Sequence, residues 1–337
     1  MKRSESEETP VKTLPRKRRK LDKGPVPKIY DLKSLIEFGR KKIYYRNINC
    51  FMLWNIIDDL VMLDNMVGME KLKETIFYQI IYYLLELNKR SPNDYLHTVI
   101  LGPPGCGKTT ISQIIGELYK KMGIISKDGI FKIAKREDFV GEYLGQTAIK
   151  TKKLLKSCLG GVLFIDEAYA LGPGQKDRDS FSKEAIDTLN AFLSENKDNF
   201  CCIIAGYEND IKKCFFSVNQ GLERRFQWVH RISEYNNKDL SNIFMKMIKE
   251  INWETNISLK DIENLIKNDK DMFSYLGGDI ENLLAKCKLV HARRVFGLDA
   301  KHRFILTMED FKEAIEMMKE NNMKDQDDKF LLSHMYV

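Results

Sequence analysis

Gly102-Pro103-Pro104-Gly105-Cys106-Gly107-Lys108-Thr109 stands directly behind the apolar run Thr98–Leu101. Its spacing is that of a phosphate-binding loop, G-x-x-x-x-G-K-[ST], entered from a strand as such a loop requires. Glycines let several main-chain N–H groups curl around a phosphate, Lys108 can neutralise the outer phosphates, and the Thr109 hydroxyl can ligate magnesium. The loop must then open a helix, whose N-terminus favours negative charge; residues 111–121 read as that helix. Further along, Gly161-Val162-Leu163-Phe164-Ile165-Asp166-Glu167 is an apolar run ending in two carboxylates. Such a run reads as a strand buried on both faces of a parallel sheet, and open parallel sheets place their ligands at the carboxyl ends of their strands. Asp166 is suited to hold a water on the magnesium. Glu167 is suited to polarise an attacking water as general base. Together the two motifs predict nucleotide hydrolysis.

The elements around them fit that placement. Strand-like runs at 97–101, 129–134, 162–165, 200–205 and 226–232 alternate with helical patterns near 107–121, 147–158, 182–195 and 207–216. In the third helix Ile186, Leu189 and Leu193 recur at helical spacing and predict a face turned to the sheet. This alternation implies right-handed crossovers and an α/β fold, a parallel five-stranded sheet covered by helices on both faces. Ahead of it, residues 32–42 and 51–63 read as helices, with a turn at 64–68 and a long helix from 70 to about 88. Beyond residue 233 helical patterns follow at 237–250, 258–268, 279–296 and 308–321, the last opened by Thr307-Met308-Glu309-Asp310 as a capping box. The expected organisation is a basic tail (1–28), an N-terminal helical segment (29–64), a large α/β domain (65–232), a small all-helical domain (233–321) and a C-terminal tail (322–337).

The chain of 337 residues is long enough for one large or two modest domains, and 43% hydrophobic content is globular. Its net charge of +7 is uneven: residues 1–28 carry ten Lys/Arg against four Asp/Glu, leaving 45 against 44 elsewhere. The body is therefore no general polyanion binder. The cluster Pro15-Arg16-Lys17-Arg18-Arg19-Lys20 reads as a nuclear import signal, a nucleic-acid anchor or a solvated tail. Seven cysteines show no C-x-x-C pair and the five histidines are scattered, which favours reduced thiols in an intracellular protein over a zinc site. Cys106 reads as a small filler within the phosphate loop. The longest apolar stretch, 76–85, is too short for a membrane span.

With these motifs in place, residues 65–300 resemble the AAA+ ATPases, and more narrowly the CbxX/CfxQ clade of red-type rubisco activase-like proteins with relatives in large DNA viruses. Met66-Val67-Gly68 is similar to the family's loop beside adenine. Phe164-Ile165-Asp166-Glu167-Ala168-Tyr169-Ala170-Leu171 is similar to the clade's second nucleotide motif. Ala205-Gly206-Tyr207 and Gly221-Leu222-Glu223-Arg224-Arg225-Phe226 are similar to its second region of homology. The resemblance implies a P-loop NTPase fold with a helical lid, ATP and Mg2+ as cofactors, and a homo-oligomeric ring of six. It implies nucleotide contacts from Val67, Gly68, Gly102, Pro103, Pro104, Gly105, Cys106, Gly107, Lys108, Thr109 and Thr110, and metal contacts from Thr109 and Asp166. Arg225 takes the position of the arginine finger, completing catalysis with Lys108 and Glu167 from a neighbouring subunit. In Phe139-Val140-Gly141-Glu142-Tyr143-Leu144-Gly145 the triplet Tyr143, Leu144 and Gly145 takes the position of the axial pore loop, a flat gripping surface on a flexible pivot. Two positions depart from the wider family. Tyr207 stands where a polar Asn or Thr is usual, and Gly278 or Asp279 where an arginine is frequent.

Three functions follow as alternatives: an ATP-driven motor that remodels a protein through a central pore, a nucleic-acid loader or translocase, and a nucleotide-gated assembly scaffold. Base, finger and pore loop together favour the first. The basic tail motivates the second, against a near-neutral body, and Glu167 argues against the third. The expected location is the cytoplasm or nucleus, with the viral resemblance extending this to an infected host cell. No membrane partner is expected, and the residues name no protein substrate.

Overall fold

The computed structural model describes residues 27–45, 47–90, 94–143, 145–173 and 179–320. The basic cluster, Leu144 and the C-terminal tail lie outside these described residues. Five strands form one parallel sheet: β1 (Thr98–Leu101), β2 (Phe131–Ala134), β3 (Val162–Ile165), β4 (Cys201–Gly206) and β5 (Trp228–Arg231), in the order β2-β3-β4-β1-β5. A pleated strand sends alternate side chains to opposite faces. Ile100, Phe164 and Ile203 accordingly enter one core, and Val99, Leu163 and Ile204 the other. With helices over both faces, the strands carry no polar stripe, which is why they read as continuous apolar runs.

Three helices precede the sheet: α1 (Leu32–Arg40), α2 (Cys50–Asp64) and α3 (Glu70–Leu84). They share the first core with α4 (Lys108–Lys121), which follows β1. Polar contacts fix that layer: Lys121 pairs with the buried Asp59 at 2.8 Å, and Gln79 donates to the Tyr119 hydroxyl at 2.5 Å. After β2 come α5 (Arg136–Phe139) and α6 (Gln146–Ser157), and after β3 comes α7 (Ser180–Glu195). Helices α6 and α7 cover the second core, α6 through Leu154 and Leu155 and α7 through Ile186, Leu189 and Leu193, the last three as their spacing predicts.

The predicted helix at 207–216 is not one helix. A single α turn, α8 (Glu208–Asp210), gives way to a π-helical stretch Ile211–Phe215 and a 3-10 turn Phe216–Val218. The main chain at Gly172 presses on the Cys214 carbonyl there, and a widened turn accommodates it. The long helix from residue 70 ends at Leu84, and a 3-10 turn follows at Leu87–Arg90.

The C-terminal region is helical: α9 (Asn237–Glu250), α10 (Leu259–Asn268), α11 (Gly277–Val295) and α12 (308–320). It also holds a two-residue parallel pair, β6 (Glu254–Thr255) with β7 (Ile305–Leu306), too short to announce itself in sequence. Phe244 and Phe311 meet edge to face at 4.9 Å in its core. Asp310 does more than cap α12. Its carboxylate accepts from the Thr307 N–H at 2.9 Å, from Arg294 Nε at 2.7 Å, and lies 3.0 Å from His291 Nδ1. No helix among the described residues is long and apolar enough to cross a membrane.

Candidate active site

Strand β1 runs straight into the glycine loop, and α4 starts behind it at Lys108. The parallel arrangement brings the carboxyl ends of β1, β3 and β4 to one edge, so Lys108, Asp166 and Tyr207 converge there although 41 to 58 residues separate neighbours in sequence. The Thr109 hydroxyl donates to Asp166 Oδ2 at 3.4 Å, and Asp166 Oδ1 accepts the Glu167 N–H at 3.0 Å. Glu167 holds φ at +49°, uncommon for a residue with a side chain, and its carboxylate is exposed. Strained backbone of this kind concentrates at functional sites.

Lys108 donates to the carbonyls of Gly102 at 3.2 Å and Pro103 at 2.8 Å, and its ammonium lies 5.4 Å from the Tyr207 ring centroid. Tyr207 stands 5.8 Å from Tyr169. Burial, then the charge of Glu167 and a hydrogen bond with it, push the Tyr169 hydroxyl up to about 12. Burial followed by the Glu167 charge raises Tyr207 as well. Both phenols therefore stay protonated beside the carboxylate, available as donors. Tyr207 occupies the space between lysine and acid, a role its identity did not announce.

A cleft of about 570 Å³ opens over this edge. Pro104, Gly105, Cys106, Gly107, Lys108, Thr109, Thr110, Asp166 and Glu167 line one end. Gly102 and Pro103 lie behind Lys108 as carbonyl acceptors. The other end is formed by Met66, Val67, Ile243 and Met247 with Tyr235, and Lys246 and Glu250 of α9 line it too. Gly68 packs on the Tyr235 ring, whose hydroxyl donates to the Cys106 carbonyl at 3.0 Å. The Cys106 side chain is buried in the core, and burial raises its thiol, so it is filler here and no nucleophile. Lys73 is buried beneath the 64–68 turn and donates to the carbonyls of Asp64 at 3.1 Å and Met66 at 2.7 Å. It holds the Val67 turn in place.

The cleft thus joins a wall carrying apolar side chains to the phosphate loop, beside a cation and two carboxylates. Thr109 and Asp166 offer hard oxygen donors only, a set that suits Mg2+, which keeps waters and phosphate oxygens for its remaining positions. The residues missed by sequence reasoning are those from the C-terminal region, Tyr235, Ile243, Met247 and Glu281. Ordinary helix periodicity was their whole signal.

Two predicted groups lie away from the cleft. Arg225 precedes β5, whose first residue pairs with Thr98, while the phosphate loop follows Leu101 at the opposite end of the same strand pair. A four-residue strand, roughly 13 Å long, separates them. Arg225 is half-buried, donates from Nε to Ser194 Oγ at 2.6 Å and from Nη1 to the Gly221 carbonyl, whereas Arg224 is exposed. Tyr143 is 67% exposed on the loop between α5 and α6, and Gly145 enters α6 at φ +83°, a conformation that favours glycine. Lys150 is exposed on α6 and donates to the carbonyls of Glu137 at 2.7 Å and Val140 at 2.9 Å.

Known proteins share both sequence and fold with this chain. The model of the ATPase family associated with various cellular activities, AAA, matches residues 98–233. A cfxQ-like protein of Acanthamoeba polyphaga mimivirus is 37% identical over 314 residues, covering 90% of this chain and 76% of that one. Stage V sporulation protein K of Bacillus subtilis (strain 168) is 36% identical over 242 residues, 68% of this chain and 73% of that one. The ESX-1 secretion system protein EccA1 of Mycobacterium tuberculosis is 42% identical over 148 residues, 44% of this chain but 26% of that longer one. Among solved structures, the FIGL-1 AAA domain in complex with ADP superposes with a TM-score of 0.51 at 17% identity, covering 79% of this chain and 89% of that one. A Thermotoga maritima RuvB mutant gives 0.52 at 17%, covering 76% and 72%. At that identity the likeness is one of fold. The sequence relationships reach further: the chain belongs to the AAA ATPase family, in its CbxX/CfxQ-like branch.

Proposed function

We propose that the protein hydrolyses ATP at the interfaces of a homo-oligomeric ring and uses the cycle to pull on a protein substrate at the ring axis. The observation that carries this reading is the separation of Arg225 from the phosphate loop of its own chain by the length of the β1–β5 pair. From there its guanidinium serves a second copy, where it stabilises charge on the transferring phosphoryl group, an effect of about 10³ or more in rate. Six subunits are the arrangement the family resemblance supports.

Within one site the roles divide. Main-chain N–H groups and Lys108 bind the phosphates, and Met66, Val67, Ile243 and Met247 enclose the base. Thr109 and Asp166 hold Mg2+, which offsets phosphate charge when bound. Glu167 orients the attacking water and accepts its proton. Tyr169 and Tyr207 flank that carboxylate as donors. Tyr143, presented outward with its ring free of the core, is the gripping residue, and the exposed edge of its loop suits an extended polypeptide without sequence preference. Measuring ATP turnover with an unfolded protein and with single-stranded DNA tests the reading. Acceleration by the polypeptide, lost in Tyr143→Ala, is expected; acceleration by DNA alone would replace it with a nucleic-acid motor anchored through the basic tail.

A further inference from the structure

The guanidinium of Arg136 makes four hydrogen bonds outside the nucleotide cleft. Nη1 donates to the Ala170 carbonyl at 2.7 Å, to Ser182 Oγ at 2.8 Å and, more weakly, to the Gly172 carbonyl at 3.5 Å. Nη2 donates to Asp179. The Asp179 carboxylate is held below the usual carboxylate range by hydrogen bonds from Ser182 and Arg136, which outweigh its burial. Arg136 is thus one fork closed on three carbonyl or hydroxyl oxygens and a carboxylate, a geometry lysine cannot reproduce.

What it joins gives it meaning. On one side, Ala170 belongs to the single 3-10 turn Ala168–Leu171 that Glu167 opens at its positive φ, with the Ala170 N–H donating to the Glu167 carbonyl at 2.8 Å. On the other side, Arg136 is the first residue of α5, whose end leads through Val140 and Gly141 to Tyr143. That end is braced from α6: Thr151 Oγ1 donates to the Phe139 carbonyl at 3.1 Å, Lys150 Nζ to those of Glu137 and Val140, and the Gly141 N–H donates to Thr147 Oγ1 at 3.0 Å. A cleft of about 810 Å³ runs along the join, with Asp166 and Glu167 at one end and Gly141 and Glu142 at the other. Energetic coupling can be carried by such a contiguous set of contacts between two elements.

We propose that Arg136 is a positioning residue that ties the turn carrying Glu167 to the loop carrying Tyr143, so that nucleotide at the one orders the other. The inference rests on the nucleotide site described above, and its test is separate from the gripping role of Tyr143. Hydrogen exchange of the full-length chain is measured in a Glu167→Gln background with and without ATP and Mg2+. With Arg136 present, ATP slows exchange in the Glu137–Tyr143 segment by about fivefold or more; with Arg136→Ala the slowing falls below about twofold, while α4 is protected equally in both. Arg136→Lys, which keeps the charge but not the fork, behaves like Arg136→Ala. Asp179→Asn, which still caps α7 but loses the charge pair, gives a partial loss and serves if Arg136→Ala does not fold. Equal protection of the segment with and without Arg136, or no response to ATP even with Arg136 intact, overturns the proposal. A loop that answers to ATP through Arg136 while Tyr143→Ala leaves stimulation by unfolded protein intact would instead remove the gripping role alone.

Discussion

Gly277, the first residue of α11, approaches the phosphate loop so closely that a β-carbon there would lie 2.6 Å from the Gly105 carbonyl oxygen. The reverse also holds: a β-carbon on Gly105 would meet the Tyr275 carbonyl at 2.0 Å. The C-terminal region therefore rests on the phosphate loop main chain to main chain. Leu276, between the two contact points, is held at φ +51°, and the Tyr275 N–H donates to the buried Asp279 at 2.6 Å.

The neighbouring glycines separate this contact from a general effect of helix composition. A β-carbon on Gly278 would meet nothing within 4 Å. Gly277→Ala should release a fluorescent ADP analogue about tenfold faster than wild type, because the methyl must lift the C-terminal region off the loop. Gly278→Ala should stay within about twofold. Stopped-flow displacement reads both, and equal rates in the two variants would show that the contact does not retain nucleotide.

Lys73 predicts a split between affinity and turnover. It fixes the turn that presents Met66 and Val67 through two main-chain carbonyls. Lys73 does not itself line the cleft and reaches it only through the Met66 carbonyl; Lys73→Met keeps the buried stem and removes the donors. ATP affinity should weaken about tenfold with kcat unchanged within about twofold, since binding of ground and transition states is lost alike. A fall in kcat without a change in affinity would place Lys73 elsewhere in the mechanism.

The acid side of the stability profile should carry the mark of two buried histidines. Burial holds His97 and His230 down to about 4, so both are neutral in the folded chain while the unfolded chain protonates them near 6.5. Their contribution is complete above the unfolded value and is lost as pH falls from there to about 4. His230 has no hydrogen-bond partner on either ring nitrogen. His230→Leu should therefore cost little at pH 7.5 and keep a larger share of its stability at pH 5.5 than wild type, read as the urea midpoint. A variant losing as much as wild type between these pH values would exclude His230 as a source.

Much of the site was legible because local chemistry demands particular residues. Glycines at fixed spacing ahead of Lys108 and Thr109, and carboxylates ending an apolar strand, have few other uses, and the strands that carry them are apolar on both faces. Other parts were not legible because they depend on what folding brings together. Ile243 and Met247 look like any core-facing residues of α9 until the C-terminal region docks beside Val67. Nothing in the pattern around Arg136 and Lys73 marks them out, and only the structure shows their donors turned to main-chain carbonyls. The segment 207–216 misled for the same reason, since the pressure of Gly172 on Cys214 is invisible in periodicity.

The central claim is that one catalytic site draws Glu167 from one chain and Arg225 from another. Mixing Glu167→Gln with Arg225→Ala tests it, each alone expected to bind ATP and to turn it over at least about a hundredfold more slowly than wild type. In a shared site, a mixture of the two contains interfaces with an intact carboxylate facing an intact guanidinium, so the account predicts that turnover rises on mixing. A mixture no more active than its components, beside a wild type that hydrolyses ATP at full rate as a monomer, would contradict it.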